Sequence, residues 1–509
     1  MSETTKDYDL LIIGSGPAGQ KAAISAAKCG ARVGLVEREP LAGGVCLNTG
    51  TIPSKSLREA VMYLSGYRQR GYYGSTYRMK ENIKRSDLMA RTSHVVRLER
   101  DVINEDLDNN GVRRLVGTAR VTGPHGVAVE CGGSETHCTA ENILIAVGTR
   151  PRRPADVPFD SWNVFDSDGL YLNGSELVPL PDSVIVLGAG VIGIEYACMF
   201  ATLDIPTTLV DPRPNPLGFV DEEIAPVLYD SMESQGVHLI FGTVHSSIEI
   251  LGEPDQPDAR VRATLADGTV LEADALLFTL GREPATAGLG LAEVGVELDK
   301  RGYIKVDKNF RSSVPSIYAA GDVVGFPSLA STSSEQGRVA AMHALGQAQP
   351  WEVDLLPYGI YTIPEISMVG KTEAQLRETG IGYFKGTALW RDTARGKILG
   401  DLSGALKLLF RSSDRKLVGI HIIGEGATEL VHIGQAVMAF GGGPAYFLQS
   451  VFNYPTLAEA YKRAAHNAIN RLSGTAHSTA PLREQVMHGN LVENFLRLSG
   501  EVRLPRNFS

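Results

Sequence analysis

The apolar positions near the start of the chain fall into two short runs separated by a stretch of small residues. Leu10 to Ile13 is a continuous apolar run of strand length, and Gly14-Ser-Gly16-Pro-Ala-Gly19 follows it. A small-residue helical stretch then ends around Cys29-Gly30, and Arg32 to Glu37 reads as a second strand. The order predicted is strand, tight turn, helix, strand.

The same pattern returns once. Val184 to Leu187 is a strand run, Gly188-Ala-Gly190-Val-Ile-Gly193 is the turn, a helical stretch reaches about Leu203, and Thr207 to Asp211 is the next strand. A single spacing of 174 residues relates Gly14, Gly16, Gly19 and Glu37 to Gly188, Gly190, Gly193 and Asp211. Such a spacing marks the duplication of a whole fold unit, not a short solenoid repeat. Between the units the pattern predicts helices from Pro53 to Met62 and Ser86 to Asn109, then strands through Val129 and from Ile143 to Val147. Thr149 to Phe159, rich in proline and arginine, reads as a crossing between domains, and a second crossing is expected near Gly281 to Pro284. From about Trp351 strands and helices alternate without glycine fingerprints, with a tight loop at Gly441 to Pro444. The residues from Gly474 onward read as a polar extension with an amphipathic stretch around Leu491 to Leu498.

Composition narrows the function classes. A chain of 509 residues holds several domains at roughly 100 to 200 residues each. Hydrophobic residues at 43% and charged residues at 21% are ordinary globular values. The net charge of −9 offers no cationic field to a phosphate backbone, so nucleic acid is not an expected partner. No apolar run approaches the length of a membrane span, and the polar N-terminus lacks the pattern of a signal peptide. The five cysteines, Cys29, Cys46, Cys131, Cys138 and Cys198, contain no C-x-x-C pair, which argues against a structural zinc site or a secreted disulfide framework. The expectation is a cytoplasmic protein without a metal.

The glycine turns carry the chemistry. With 55 glycines in the chain, chance alone gives roughly 0.6 occurrences of G-x-G-x-x-G, so one match means little. Each match here is followed by an acidic residue 18 positions after its last glycine, which lowers the expectation to about 0.07 per chain, and it happens twice. The first glycine allows the tight turn, the second lets a pyrophosphate approach the backbone, and the third lets helix and strand pack closely. Phosphate then sits at the positive N-terminus of the helix, and Glu37 or Asp211 can bond a ribose. Two dinucleotide sites on one chain point to a redox relay between a bound flavin and an exchangeable nicotinamide. Asp211 alone would favour NAD, whereas Arg213 can pair with the 2′-phosphate of NADP. Both together imply tolerance of NAD and NADP, unless Arg213 is a solvated loop charge.

These residues resemble the flavoprotein disulfide reductases, the class-I pyridine nucleotide-disulfide oxidoreductases that include lipoamide dehydrogenase and glutathione reductase. The resemblance covers about residues 7 to 473. It extends to Gly43-Gly-Val-Cys-Leu-Asn-Thr-Gly-Thr-Ile-Pro-Ser-Lys55, Ile145-Ala-Val-Gly148, Gly281-Arg-Glu-Pro284 and Tyr318-Ala-Ala-Gly-Asp322. It implies an α/β fold of two Rossmann-like domains, for FAD at 1–152 and 281–350 and for NAD(P) at 153–280. An α+β dimerisation domain would follow at 351–473, leaving 474–509 as an extension without an assigned role. FAD would be held by Gly14, Gly16, Gly19, Glu37, Gly44, Cys46, Lys55, Gly148, Gly321 and Asp322. NAD or NADP would be held by Gly188, Gly190, Gly193, Asp211, Arg213 and Gly281. Lys55 would lie by the flavin ring, paired with Glu195, and these two are the expected catalytic residues.

Two departures redirect the expected activity. The family's C-x-x-x-x-C begins here at Cys46 but ends at Thr51, and threonine cannot form a disulfide. The family's H-P-x-x-x-E is Tyr454-Pro-Thr-Leu-Ala-Glu459, so the histidine base is absent. Hydride transfer to and from the flavin survives both losses. Together with Phe165-Asp-Ser-Asp168, Gly359-Ile-Tyr-Thr-Ile-Pro-Glu-Ile-Ser367 and Phe452-Asn-Tyr-Pro-Thr456, this resembles a transhydrogenase branch of the family, exchanging hydride between NADPH and NAD as a homodimer or larger homo-oligomer. Cys46 is expected merely to pack near the flavin, and His421 and His432 to be structural. The alternatives are a diaphorase passing electrons from the same flavin to quinones or dyes, and a flavin-binding interaction or redox-sensing protein with vestigial activity.

Overall fold

A computed structural model describes residues 6–74, 76–160, 162–172, 180–254, 256, 258–347, 355–475 and 480–486. The change of texture at Trp351 and the amphipathic stretch Leu491 to Leu498 lie outside these residues. None of the described helices is long and apolar enough to cross a membrane.

Two parallel sheets of one layout carry the two glycine turns. In the first, the spatial order is Arg113–Val116, Val33–Glu37, Tyr8–Ile13, the C-terminal part of Ser134–Ile145, then Ile317–Ala319. In the second it is Val237–Phe241, Thr207–Asp211, Val184–Leu187, Ala275–Phe278, then Val164–Asp166. The spacing of 174 residues is thus a repeat of topology, with the strand that leads into each glycine turn in the middle. Val184–Leu187 is buried at every position because both faces of a parallel sheet are covered, which is why its sequence does not alternate. The helix Pro17–Lys28 turns Ala18, Gly19, Ala22, Ala23 and Ala26 inward. Those small side chains let Ala330–Ala344 cross it closely: a Cβ on Gly337 would lie 2.0 Å from the carbonyl oxygen of Ala18.

The stretches read as crossings meet each other. Thr149–Pro151 pairs antiparallel with Arg282–Pro284, and Arg150 Nε lies 2.8 Å from Glu283 Oε1. Beyond the two parallel sheets, an antiparallel sheet runs in the order Tyr358–Ile360, Ile366–Gly370, Leu417–Ile423, Ala405–Arg411, Tyr383–Leu389, with the helices Ala427–Ala439 and Glu459–Leu472 packed on it. The tight loop at Gly441 to Pro444 leads into the short helix Pro444–Gln449.

One strand of this third sheet carries a buried cation. Lys407, fully buried, places its Nζ 2.6 Å from Asp221 Oδ1 and 2.7 Å from Glu223 Oε2, and it also bonds Glu373. Lys385 bridges Glu223 and Glu373 at 2.9 and 2.8 Å. His421 is buried beside them, its Nε2 3.0 Å from the Lys371 carbonyl oxygen. Because Asp221 and Glu223 belong to the loop before the helix Ala225–Ser234, these charges fasten the second parallel sheet unit to the third.

Burial alone would raise the Asp221 carboxyl, but His421 when protonated and Lys407 outweigh it and hold the group at about 2. The same contest, with Lys407 and Lys385 as the cations, puts Glu373 at about 2. Both values lie below the unfolded ones of about 4, so these carboxylates stabilise the native state above about pH 4, and that stability is lost as pH falls towards 2. Urea unfolding from pH 5 to pH 2 should show a falling stability whose slope shrinks in Lys407→Met. An unchanged slope would mean that the cluster is not the titrating group. Lys407→Ala, which leaves three carboxylates without their buried cation, should cost about 3 to 5 kcal/mol in the same measurement at pH 7.

Candidate functional site

The two glycine turns are built alike. Gly14 and Gly188 adopt left-handed φ values of 103° and 108°. A Cβ on Gly19 would lie 1.9 Å from the Gly14 carbonyl oxygen, and one on Gly193 would lie 1.8 Å from that of Gly188. The third glycine of each turn is therefore required for the helix to close on the turn. Gly16 and Gly190 differ, since nothing lies within 4 Å of a Cβ built on either. Both sit at the N-caps of twelve-residue helices, and neither cap has a side-chain hydrogen bond. Uncapped N–H groups facing open space beside a Cβ-less backbone suit a pyrophosphate.

The acidic residues close each cradle in the same way. Glu37 Oε2 accepts from Ser15 N at 2.9 Å and Ser15 Oγ at 2.6 Å, and Asp211 Oδ2 accepts from Ala189 N at 2.6 Å. Each carboxylate is thus tied to the second residue of its turn, Glu37 partly exposed and Asp211 buried. The second cradle has an addition. Arg213 donates Nε to Asp211 Oδ1 and Nη2 to Oδ2, both at 2.8 Å, in a fork that sets two parallel bonds. Burial would raise the Asp211 carboxyl, but the hydrogen bonds from Arg213 and Ala189 prevail and lower it. Arg213 is therefore neither free in solvent nor independent of the acid.

Lys55, on the helix Thr51–Leu64, places Nζ 2.6 Å from Oε2 of Glu195, on the helix Val191–Thr202. The other oxygen of Glu195 accepts from Tyr361 N at 2.8 Å, and Lys55 lies 4.8 Å over the Tyr361 ring. One carboxylate thus joins the first unit, the second and the start of the third sheet.

The remaining expected site residues lie beside the first cradle and the paired crossing strands. A Cβ on Gly44 would come within 2.9 Å of Gly16 Cα, so the Gly43-Gly44 turn rests against the first cradle. Gly321 donates its N–H to Gln336 Oε1 at 2.8 Å, and Asp322 accepts from Ser333 Oγ at 3.2 Å. Burial pushes the Asp322 carboxyl up against the pull of Arg282. Arg282 itself bonds Thr149 through Nε and Nη2, both at 2.9 Å, and reaches Asp168 at 3.3 Å. Gly148 and Gly281 take left-handed φ values of 65° and 102°, with open space where a Cβ would be. Tyr361, Arg282 and Asp168 stand within the motifs of the family resemblance, but sequence alone assigns them no role. Their signal was present as residue type, but the contacts that use them are long-range. Tyr454 is 73% exposed, Glu459 is paired with Arg463 at 2.6 Å, and neither is bonded to Lys55 or Glu195 within one chain.

An open, uncapped helix start and a poised carboxylate in each cradle fit a dinucleotide at each. The first cradle, with the Gly44 turn, Asp322 and the Lys55–Glu195 pair, fits FAD, and the second, with Asp211 and Arg213, fits NAD or NADP.

The family model described as pyridine nucleotide-disulphide oxidoreductase matches residues 8–337, and its dimerisation domain matches residues 356–465. The chain is 48% identical over 469 residues to a protein of Mycobacterium tuberculosis named soluble pyridine nucleotide transhydrogenase, covering 92% of this chain and 98% of that one. It is 40% identical over 471 residues to the protein of the same name from Shigella flexneri, covering 92% and 99%. Among solved structures, LpdA from Mycobacterium tuberculosis superposes with a TM-score of 0.81 at 27% identity, covering 90% of this chain and 99% of that one. The HOCl-induced flavoprotein disulfide reductase RclA of Escherichia coli, in its Cu(II) complex, gives 0.79 at 27% identity, covering 91% and 99%.

Unlike a dithiol, the pair at positions 46 and 51 cannot cycle through a disulfide. Burial pushes the Cys46 thiol up, and the hydroxyl of Thr51 beside it offsets only part of that. Cys46 is therefore a thiol at neutral pH, whereas a redox-active cysteine needs its thiolate. Iodoacetamide at pH 7.5 should label the exposed Cys29 and Cys131 at least about ten times faster than Cys46. Preferential labelling of Cys46 would contradict this assignment.

Proposed function

Because the chain belongs to the pyridine nucleotide-disulphide oxidoreductase family, we propose that it is a FAD-dependent soluble pyridine nucleotide transhydrogenase that exchanges nucleotides at one site in a ping-pong cycle. The observation that carries this reading is the conjunction of two built dinucleotide cradles with a site in which Thr51 faces Cys46. FAD, when bound, supplies the carrier that takes hydride from NADPH and returns it to NAD, so that NADPH and NAD become NADP and NADH.

The chain's residues do the rest by positioning and charge. The uncapped start of Val191–Thr202 faces the nucleotide pyrophosphate, and Asp211 accepts from the 2′-hydroxyl of NAD. With NADPH, Arg213 turns from Asp211 to the 2′-phosphate, exchanging one charge-assisted fork for another, so neither nucleotide leaves the arginine unpaired. Lys55, fixed by Glu195, keeps a positive charge at the junction of the two cradles, where electron density gathers during transfer. No acid or base is required, which is consistent with Tyr454 where a histidine base would stand.

The dimerisation domain supports a homodimer in which Tyr454 and Glu459 approach the partner's flavin. Phe440 and Val451, 91% and 95% exposed on the isolated chain, are apolar surface that such a contact would cover. We place the protein in the cytoplasm, a reading supported by its five free cysteines.

The direct test is steady-state assay of FAD-loaded protein, comparing NADPH-driven reduction of an NAD analogue with reduction of a quinone. Nucleotide-to-nucleotide transfer is expected. Quinone reduction alone would make the protein a diaphorase, and bound FAD without turnover of any acceptor would make it a binding protein. Arg213→Ala should raise KM for NADPH about 10- to 100-fold, the loss of a charged hydrogen-bond fork, with KM for NADH changed less than about threefold. Equal effects on both nucleotides would remove Arg213 from the phosphate site.

A further inference from the structure

Residues 480–486 lie beyond the matched dimerisation domain, which ends at residue 465, yet they are seated in the body of the protein. Leu482 and Val486 are 1% and 2% exposed and belong to an apolar core to which all three units contribute. Arg483 makes a two-bond fork to Asp230, Nε to Oδ2 at 2.7 Å and Nη2 to Oδ1 at 2.5 Å. Leu482 N donates to Glu223 Oε1 at 3.3 Å, and Val486 O accepts from Arg391 Nη1 at 3.3 Å. Asp230 and Glu223 belong to the second unit, whereas Arg391 belongs to the third. The segment therefore crosses the seam between them, beside the Lys407 cluster, in which Glu223 also takes part.

What lies under the segment connects to the nucleotide. Asp230 follows Tyr229 on the helix Ala225–Ser234, and the Tyr229 hydroxyl accepts from Leu217 N at 3.2 Å. Leu217 lies in the loop that runs from Arg213 to the Asp221 and Glu223 anchors. One end of the loop carries the Arg213 fork to Asp211, and the other is held by Lys407. The segment fixes the helix that supports the middle.

We propose that residues 480–486 are a positioning strap that pins the helix Ala225–Ser234 to the dimerisation domain and so holds the Arg213 loop in the pose that receives NADPH. Burial of Leu482 and Val486 supplies the seating, and the Arg483–Asp230 fork sets its register. None of these residues touches a reacting atom, so their effect is on nucleotide affinity and not on the chemical step. The affinity effect rests on the second cradle binding NADPH, whereas the seating does not depend on the transhydrogenase reading.

The test uses the full-length, FAD-loaded chain and two variants, Leu482→Asp combined with Val486→Asp to unseat the segment, and Arg483→Ala to loosen it without a buried charge. Three quantities are read: trypsin cleavage after Arg483 in parent and double variant, hydrogen exchange over 225–234 in all three proteins, and the dissociation constant of NADPH by titration. Unseating should speed the cleavage about tenfold or more and raise exchange over 225–234. It should weaken NADPH about three- to tenfold with bound FAD unchanged, and Arg483→Ala should fall between parent and double variant. Equally fast cleavage of parent and double variant would show that the segment is not seated. Faster exchange with unchanged NADPH affinity, in either variant, would show that it covers the core without positioning the loop. Because binding is read by titration, failure of hydride transfer between nucleotides would overturn the transhydrogenase reading and leave the strap standing.

Discussion

The rest of the site depends on the pairing of Glu195. An ionised carboxylate this deeply buried costs several kcal/mol unless every lone pair is met, and the groups that meet it come from elsewhere in the chain. Lys55 arrives on the helix that follows the first cradle and Tyr361 N from the start of the third sheet, while Glu195 itself stands two residues after Gly193 in the second cradle. The three units must therefore assemble in one arrangement for this carboxylate to be satisfied. That arrangement fixes the Lys55 ammonium between the helix Thr51–Leu64 and the helix that opens the second cradle. A charged pair of this kind adds little net stability, but it defines a geometry, which is what hydride transfer between two bound dinucleotides requires.

The Lys407 cluster applies the same constraint one layer further out. A buried lysine sits among three carboxylates taken from two units, so the second cradle cannot shift against the third sheet without uncovering charge. Between the Arg213–Asp211 fork and this cluster runs the loop that holds Arg213. On the proposed reading, nucleotide selection thus sits on a segment tethered at both ends, and the segment 480–486 lies against the helix that backs it.

Much of this was legible in the chain because it is local. Gly14, Gly16 and Gly19, with Glu37 at a fixed distance, report a turn whose geometry only glycine satisfies, and the same grammar at Gly188 reports it again. Strand runs such as Val184–Leu187 were readable because burial on both faces leaves no polar position. The fork between Arg213 and Asp211 was half legible: the two types stood two residues apart, but their mutual bond, as opposed to two separate roles, follows from a turn that sequence does not fix. The Lys407 cluster was not legible, since a lysine in an apolar strand looks like an exception until partners about 186 and 34 residues away are brought to it. Leu482 and Val486 escaped for the opposite reason: they stand in a polar segment, and only its seating shows that these two face inward.

The central claim is that the two cradles hold a flavin and a nicotinamide that exchange hydride without help from cysteine. It is tested most directly by the spectrum of the purified protein with FAD bound, recorded anaerobically in the variant Cys46→Ser. Stoichiometric NADPH should bleach the flavin absorbance, and NAD added afterwards should restore it, with NADH and NADP recovered in equal amounts. A flavin that bleaches in the unsubstituted protein but not in Cys46→Ser, or one that NAD cannot restore in either, would contradict the account.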